Sequence, residues 1–316
     1  MARCIPKRAI ILLTYIFNAI LRLSYFPLIW KFSTIILIPK PGKPLDSLSS
    51  YRPISLLPFF AKVLERLILK RILPFINVNN ILPDNQFGFR AKHSTIHQVH
   101  RVVDAITFAL EKKLFCTCAF LDISQAFDRV WHEGLLSKLK KCIPPTYYIL
   151  IKSYLEDRYF KIRHGSAYSS IAGIRAGVPQ GGILSPVLFN IYTSDQPTMP
   201  NTLVADYADD KAIISTSADP VLASTYLQNH LSQLEEWYRK WRFKINQCKS
   251  IHTTFILKQA QCPAVTLYII QIPSTPTVKY LGLTLDRRLT WAQHIKTKRS
   301  QLNSRQHSSL TINTRT

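Results

Sequence analysis

Two short apolar runs, Leu203-Val204-Ala205 and Ala212-Ile213-Ile214, flank the tetrapeptide Tyr207-Ala208-Asp209-Asp210. Runs of this kind separated by so short a gap read as the two strands of a hairpin, which commits this part of the chain to antiparallel sheet. The hairpin tip then carries two adjacent carboxylates. Like charges side by side raise the energy of the folded state unless a cation or a basic group compensates them. Mg²⁺ is the natural compensator, because it is a hard ion that takes carboxylate, water and phosphate oxygens. A solvated turn is the alternative, since Asp is common in turns and the strands would form without metal.

Other periodic segments surround the hairpin. Phe115 to Leu121 reads as a strand, and so does the alternating run Ile251, Thr253, Phe255, Leu257. Phe60, Val63, Leu64, Leu67 and Ile68 recur at helical spacing, as do Ile96, Val99, Val103, Ile106 and Leu110. Leu227, Leu231, Leu234, Tyr238 and Trp241 form a third such stripe. The fold class that follows is α+β, with a largely antiparallel sheet carrying helices on one face. The apolar stretch from Ala9 to Leu21 follows Lys7-Arg8 like the start of a signal peptide. Asn18 and Arg22 interrupt it, no small-residue cleavage site follows, and it is too short to span a bilayer; a buried helix is expected.

Charge narrows the partner. Across 316 residues, 41 Lys and Arg stand against 18 Asp and Glu, giving a net charge of +23. Such an excess points to a polyanion, most often nucleic acid. A cationic membrane-surface protein is disfavoured, because the basic residues are scattered rather than gathered on one amphipathic segment. Six cysteines have neither zinc-site spacing nor the density of a disulfide scaffold, so a reduced, intracellular protein is expected.

Two further motifs bear on the hairpin. In Ala119-Phe120-Leu121-Asp122-Ile123-Ser124-Gln125-Ala126-Phe127-Asp128 an Asp stands where an apolar strand ends, and a helix is expected just after it, with Phe127, Val130 and Trp131 inward. If that strand pairs with the hairpin, Asp122 lies beside Asp209; helix capping is its alternative role. The second motif is Ala176-Gly177-Val178-Pro179-Gln180-Gly181-Gly182-Ile183-Leu184-Ser185-Pro186. Its glycines let backbone approach a ligand closely, and Ser185 and Pro186 fit the N-cap and first position of a following helix.

Together and in this order, these motifs resemble reverse transcriptases, most closely those of non-LTR (LINE-like) retrotransposons of the jockey type. Leu37-Ile38-Pro39-Lys40, Tyr51-Arg52-Pro53-Ile54-Ser55-Leu56 and Gln86-Phe87-Gly88-Phe89-Arg90 look like finger-domain blocks of that family. Asn246-Gln247-Cys248-Lys249 and Val278-Lys279-Tyr280-Leu281-Gly282-Leu283 look like its later palm motif and primer-grip hairpin. The resemblance implies a right-hand polymerase fold with helical fingers and an antiparallel-sheet palm, the thumb largely missing. It divides the chain into an N-terminal helical extension (1–27), a reverse transcriptase domain of fingers and palm (28–287), and a thumb remnant with a disordered tail (288–316).

By the same resemblance the activity is RNA-directed DNA polymerisation by two-metal phosphoryl transfer, with an RNA template, a DNA primer and dNTPs as partners. Asp122, Asp209 and Asp210 become the catalytic carboxylates, and with the Ile123 carbonyl they hold two Mg²⁺ ions, Mn²⁺ being a possible substitute. Phe127 corresponds to the steric gate against ribonucleotides. Gln180 and Gly181 face the incoming nucleotide and template, Arg52 and Arg90 the triphosphate, and Lys249 the departing pyrophosphate. Lys279, Tyr280, Leu281 and Gly282 form the primer grip. Two other readings keep the resemblance and change its meaning: a catalytically inactive nucleic-acid-binding remnant, and an intron-encoded or retron-type enzyme. The polar stretch from Ser300 to Thr316 and the absence of an upstream endonuclease read as a fragment of a longer protein. Nucleus and cytoplasm both stay open.

Overall fold

The computed structural model of the chain describes residues 5–258 and 261–313. In chain order its elements are α1 (Lys7–Leu23), β1 (Ser33–Pro39), β2 (Tyr51–Leu56), α2 (Phe59–Val78), α3 (Thr95–Glu111), β3 (Phe115–Leu121), α4 (His132–Cys142), α5 (Pro145–Leu155), β4 (Arg158–His164), β5 (Ala167–Tyr168), β6 (Ala172–Ile174), α6 (Ser185–Tyr192), β7 (Thr202–Tyr207), β8 (Asp210–Ser217), α7 (Pro220–Lys240), β9 (Ile251–Phe255), β10 (Thr266–Leu267), β11 (Ile270–Gln271), β12 (Thr277–Tyr280), β13 (Leu283–Asp286) and α8 (Ala292–Asn313). They fall into two units. One runs up to Pro83 and resumes from Gln125 to Asp195; the other takes Asp84–Ser124 and everything from Gln196 onward.

In the first unit β1 lies between β2, to which it is antiparallel, and β4, to which it is parallel; β5 and β6 both pair with β4. Helix α2 sends a fully buried carboxylate, Glu65, to meet the Tyr154 hydroxyl at 2.9 Å and the backbone amides of Ile183 and Leu184. These amides lie at the start of α6, so Glu65 does the capping that local sequence assigned to Ser185. Ser185 is instead the first residue of the helix, preceded by Leu184. A carboxylate at a helix N-terminus also meets the positive end of its dipole.

The second unit is built on a four-stranded, wholly antiparallel sheet in the order β7-β8-β3-β9. One face of β3 presents Cys116, Cys118 and Phe120 to Val102, Ile106 and Ala109 of α3 and to Val278, Tyr280 and Leu285 of the β12–β13 hairpin. Thr117, Ala119 and Leu121 take the other face by alternation, and α7 packs against β3 and β8. The sheet is thus covered on both faces, not on one as expected. β3 reads as a near-continuous apolar run, broken only by the buried Thr117, since a strand buried on both sides has no solvent face to mark with polar residues.

Three local expectations need correction. The stretch after Asp122 is a string of turns, and helix starts at His132; the amides of Gly177 and Val178 bond the carbonyls of Val130 and Phe127 and hold this loop open. Helix α1 forms where the apolar stretch predicted one, yet it buries Phe17 and Ile20 while exposing Ile10, Ile11, Leu12 and Tyr15. Its apolar residues wrap around the helix, whereas its partners, such as Trp30 against Phe17 at 5.8 Å, meet one side. The segment expected as a disordered tail contains α8, with residues 314–316 outside those described. Asp286 fixes its approach by accepting from the amides of Arg288, Thr290 and Trp291. A helix that is polar all round leaves no periodic signal to read. Among the described residues no helix is long and apolar enough to cross a membrane.

Candidate active site

The register of β7 and β8 builds the carboxylate tip. Tyr207 pairs with Asp210, so Ala208 and Asp209 form a two-residue turn. Ala208 has φ +57°. That left-handed conformation is one Gly adopts readily and other L-residues adopt at a cost on the order of 1–2 kcal/mol. Something outside the turn therefore has to stabilise it.

Strand β3 delivers the third carboxylate. Leu121 pairs with Lys211, which sets Asp122, the next residue, beside the Asp210 end of β8. The Asp122 backbone is fixed from the other side by the turn before β9: its carbonyl accepts from the Asn246 amide at 2.9 Å and its amide donates to Ser250 Oγ at 3.2 Å. The Ser124 amide donates to the Lys244 carbonyl at 2.8 Å, completing a bridge between Ile123 and Ile245. Neither bond of that bridge uses the Ile123 carbonyl.

The electrostatics follow from this convergence. Packing around it, and then the charges of Asp209 and Asp122, push the Asp210 carboxyl from its ordinary 3.8 up to about 6. Among the described residues no three His, Cys, Asp or Glu side chains form a ready-made metal cage. The repulsion registered at Asp210 is what a bound cation would relieve.

Behind the tip lies a polar network that the sequence reading did not single out. Asp206 and Lys211 face each other across the hairpin as a buried ion pair at 2.6 Å. Gln196 bonds both members, and Asn85 donates to Asp206 at 3.5 Å. A two-residue turn makes 206 and 211 cross-strand partners, so the hairpin itself carried the signal. Gln86, within the Gln86-Phe87-Gly88-Phe89-Arg90 block, bonds the backbone of Ala208 through its side chain.

The remaining sequence-predicted residues divide between the units. Within the second, Arg90 donates to the Gln86 carbonyl at 3.3 Å. Lys249 is exposed, its amide bonded to Asn246 Oδ1 at 3.2 Å. The β12–β13 hairpin turns at Leu281 and Gly282, with φ of +44° and +87°. Lys279 is exposed, whereas Tyr280 is buried and donates to the Ala205 carbonyl at 3.1 Å, which ties the hairpin to β7. Leu281, Leu283 and Trp291 border a cavity of about 280 Å³ with Ile96, Val99 and Val103.

Within the first unit, Phe127 stacks on Phe189 with centroids 4.6 Å apart. Gln180 accepts from the Ser55 amide through its carbonyl at 2.7 Å and donates to Asp128 at 3.5 Å. Gly181, at φ +114°, has its backbone so near Ser55 that a Cβ would meet the Ser55 carbonyl at 2.8 Å. Arg52 is exposed on β2, with no ion pair among the described residues. Burial pushes the Asp128 carboxyl up to about 6.

Comparison with known proteins identifies the family. A probable RNA-directed DNA polymerase from transposon X-element of Drosophila melanogaster is 43% identical over 308 residues, covering 96% of this chain and 34% of that protein. The RNA-directed DNA polymerase from mobile element jockey of the same species is 44% identical over 301 residues, covering 93% and 33%. The chain thus spans about a third of the length of these curated relatives. Among solved structures, apo telomerase from Candida tropicalis, truncated from its C-terminal domain, superposes with a TM-score of 0.56 at 16% identity, over 83% of this chain and 54% of that one. At that identity the likeness speaks for fold alone, that of right-hand polymerases. Residues 38–285 match the family model described as reverse transcriptase (RNA-dependent DNA polymerase), and with that match spanning the carboxylate strands and the glycine loop, the chain belongs to the reverse transcriptase family.

Proposed function

We propose that this chain carries the RNA-directed DNA polymerase activity of a jockey-type non-LTR retrotransposon, adding dNTPs to the 3′-hydroxyl of a DNA primer on an RNA template. The observation that carries the reading is the strand register that sets Asp122 beside Asp210, with Asp209 in the adjoining turn. In the reaction the primer oxygen bonds the α-phosphorus of the nucleotide, the bond to pyrophosphate breaks, and the hydroxyl proton departs. Asp122, Asp209 and Asp210, with the Ile123 carbonyl, are the groups that would hold two Mg²⁺ or Mn²⁺ ions, whose charge would acidify the primer hydroxyl and stabilise the leaving pyrophosphate.

The chain's own residues supply orientation and selectivity. Phe127, braced by Phe189, is the ring that would clash with a 2′-hydroxyl. Gln180 and Gly181 present fixed backbone to the nucleotide and template. Arg52 and Arg90 offer forked donors to phosphate oxygens, and Lys249 is the donor for the departing pyrophosphate. Lys279 and the Leu281-Gly282 turn hold the primer, while Tyr280 anchors that hairpin through Ala205. The +23 net charge suits a nucleic-acid substrate. Incubation with RNA template, DNA primer, dNTPs and Mg²⁺ should extend the primer, and Asp209→Asn should abolish extension. Salt-dependent binding without incorporation would favour the inactive-remnant reading instead.

A further inference from the structure

The turn that carries Asp209 and Asp210 contains a conformation its own residues do not favour. In a two-residue hairpin turn a left-handed first position is ordinarily given to Gly, Asn or Asp. Here it is Ala208, at φ +57°, which has no side chain able to bond its own backbone.

The compensating group comes from the segment before α3. Gln86 Oε1 accepts from the Ala208 amide at 2.8 Å, and Gln86 Nε2 donates to the Ala208 carbonyl at 3.2 Å. One side-chain amide thus satisfies both backbone polar groups of the left-handed residue. The same Oε1 also accepts from the Gly88 amide at 2.8 Å, which folds the segment back on itself.

Gln86 is itself held rigidly. It is buried and bridges Asp206 in parallel fashion. The Phe87 amide donates to the Asp206 carbonyl and the Asp206 amide to the Asn85 carbonyl, both at 2.9 Å. Gln98, buried in α3, donates to the Asn85 and Asp206 carbonyls at 2.9 and 2.8 Å. Gly88 completes the fit, since a Cβ there would lie 2.2 Å from the Ala208 nitrogen. The 85–88 segment is therefore joined to β7 by a single bridge at Asp206, with the Asn85 amide on Asp206 and the Gln86 amide on the turn.

We infer that Gln86 is a positioning residue for the polymerase reaction: its amide clamps Ala208 and so fixes the directions in which Asp209 and Asp210 leave the turn. The inference rests on the function proposed above, and the clamp requires a group that both donates and accepts. A carboxylate at position 86 would accept from the Ala208 amide but oppose its carbonyl, and a thioether of the same length would do neither.

The test uses the full chain and the variants Gln86→Met, Gln86→Glu and Gln86→Met with Ala208→Gly, assayed below their unfolding midpoints. Amide hydrogen exchange at Ala208 is read first, because it needs no activity. Gln86→Met, which removes the acceptor, should speed that exchange by at least about tenfold, and Gln86→Glu, which keeps it, by less, with no comparable change at Cys118 in β3. In single-nucleotide incorporation kcat should fall roughly 10- to 100-fold with KM for the nucleotide within about threefold. Adding Ala208→Gly, which takes positive φ freely, should restore part of the lost rate in the Gln86→Met protein. Unchanged Ala208 exchange, or kcat within twofold of the parent, overturns the inference. Should the parent protein extend no primer, the functional reading fails, and the exchange arm still decides whether Gln86 clamps the turn.

Discussion

Lys211 and Asp206 meet at 2.6 Å across the β7–β8 hairpin, both buried, one residue inside the pair that closes the carboxylate turn. The hairpin thus carries a neutralised charge pair on its inner side and concentrated negative charge at its tip. The buried pair fixes register, because slipping one strand by a residue would move its charge to the opposite face from its partner.

Removing one partner should therefore be costly. Lys211→Met leaves Asp206 charged and buried, and is expected to destabilise the protein by roughly 3–5 kcal/mol. Replacing both, with Lys211→Met and Asp206→Leu, should recover much of that loss. Urea unfolding of the single and double variants checks this, and equal losses in both would contradict it.

A pH dependence follows from Asp128. Its carboxyl is raised from 3.8 to about 6, chiefly by burial, against the opposing influence of Arg129. A group whose folded-state pKa is raised contributes stability that is present below its ordinary pKa and is lost as pH rises through the folded value. Relative to Asp128→Asn, the parent protein should thus lose stability between about pH 4 and pH 6 and change little above. Thermal unfolding midpoints of the two proteins across pH 3.5–8 give the comparison; parallel curves would refute it.

How much of this was legible in the sequence depends on where each determinant lies. The strands β3, β7, β8 and β9 were read from local apolar runs, and the hairpin from the shortness of its gap. What local patterns missed was set at long range. Glu65 caps α6 from more than 100 residues away, the 125–131 loop is held by Gly177 and Val178, and α7 covers the face of the sheet expected to be open. At the site, motif and resemblance point to Asp122, Asp209 and Asp210, and the strand register sets Asp122 beside Asp210. The clamp by Gln86 was not legible, because no spacing rule links residues 86 and 208.

Sugar selection gives a third expectation. Phe127 lies flat on Phe189 at 4.6 Å, and so cannot retreat without losing that contact. Phe127→Val should raise incorporation of ribonucleotides relative to deoxynucleotides by at least about tenfold, measured as the ratio of kcat/KM values. An unchanged ratio would remove Phe127 from the gate role.

The most direct test of the central claim compares Asp122→Asn, Asp209→Asn and the double variant in single-nucleotide incorporation on an RNA template. If the β3 and hairpin carboxylates act as one site, each single change should cost at least about a thousandfold in rate, and the double variant little more, because parts of one catalytic unit are not additive. Independent, multiplying losses, or activity retained by either single variant, would contradict the account.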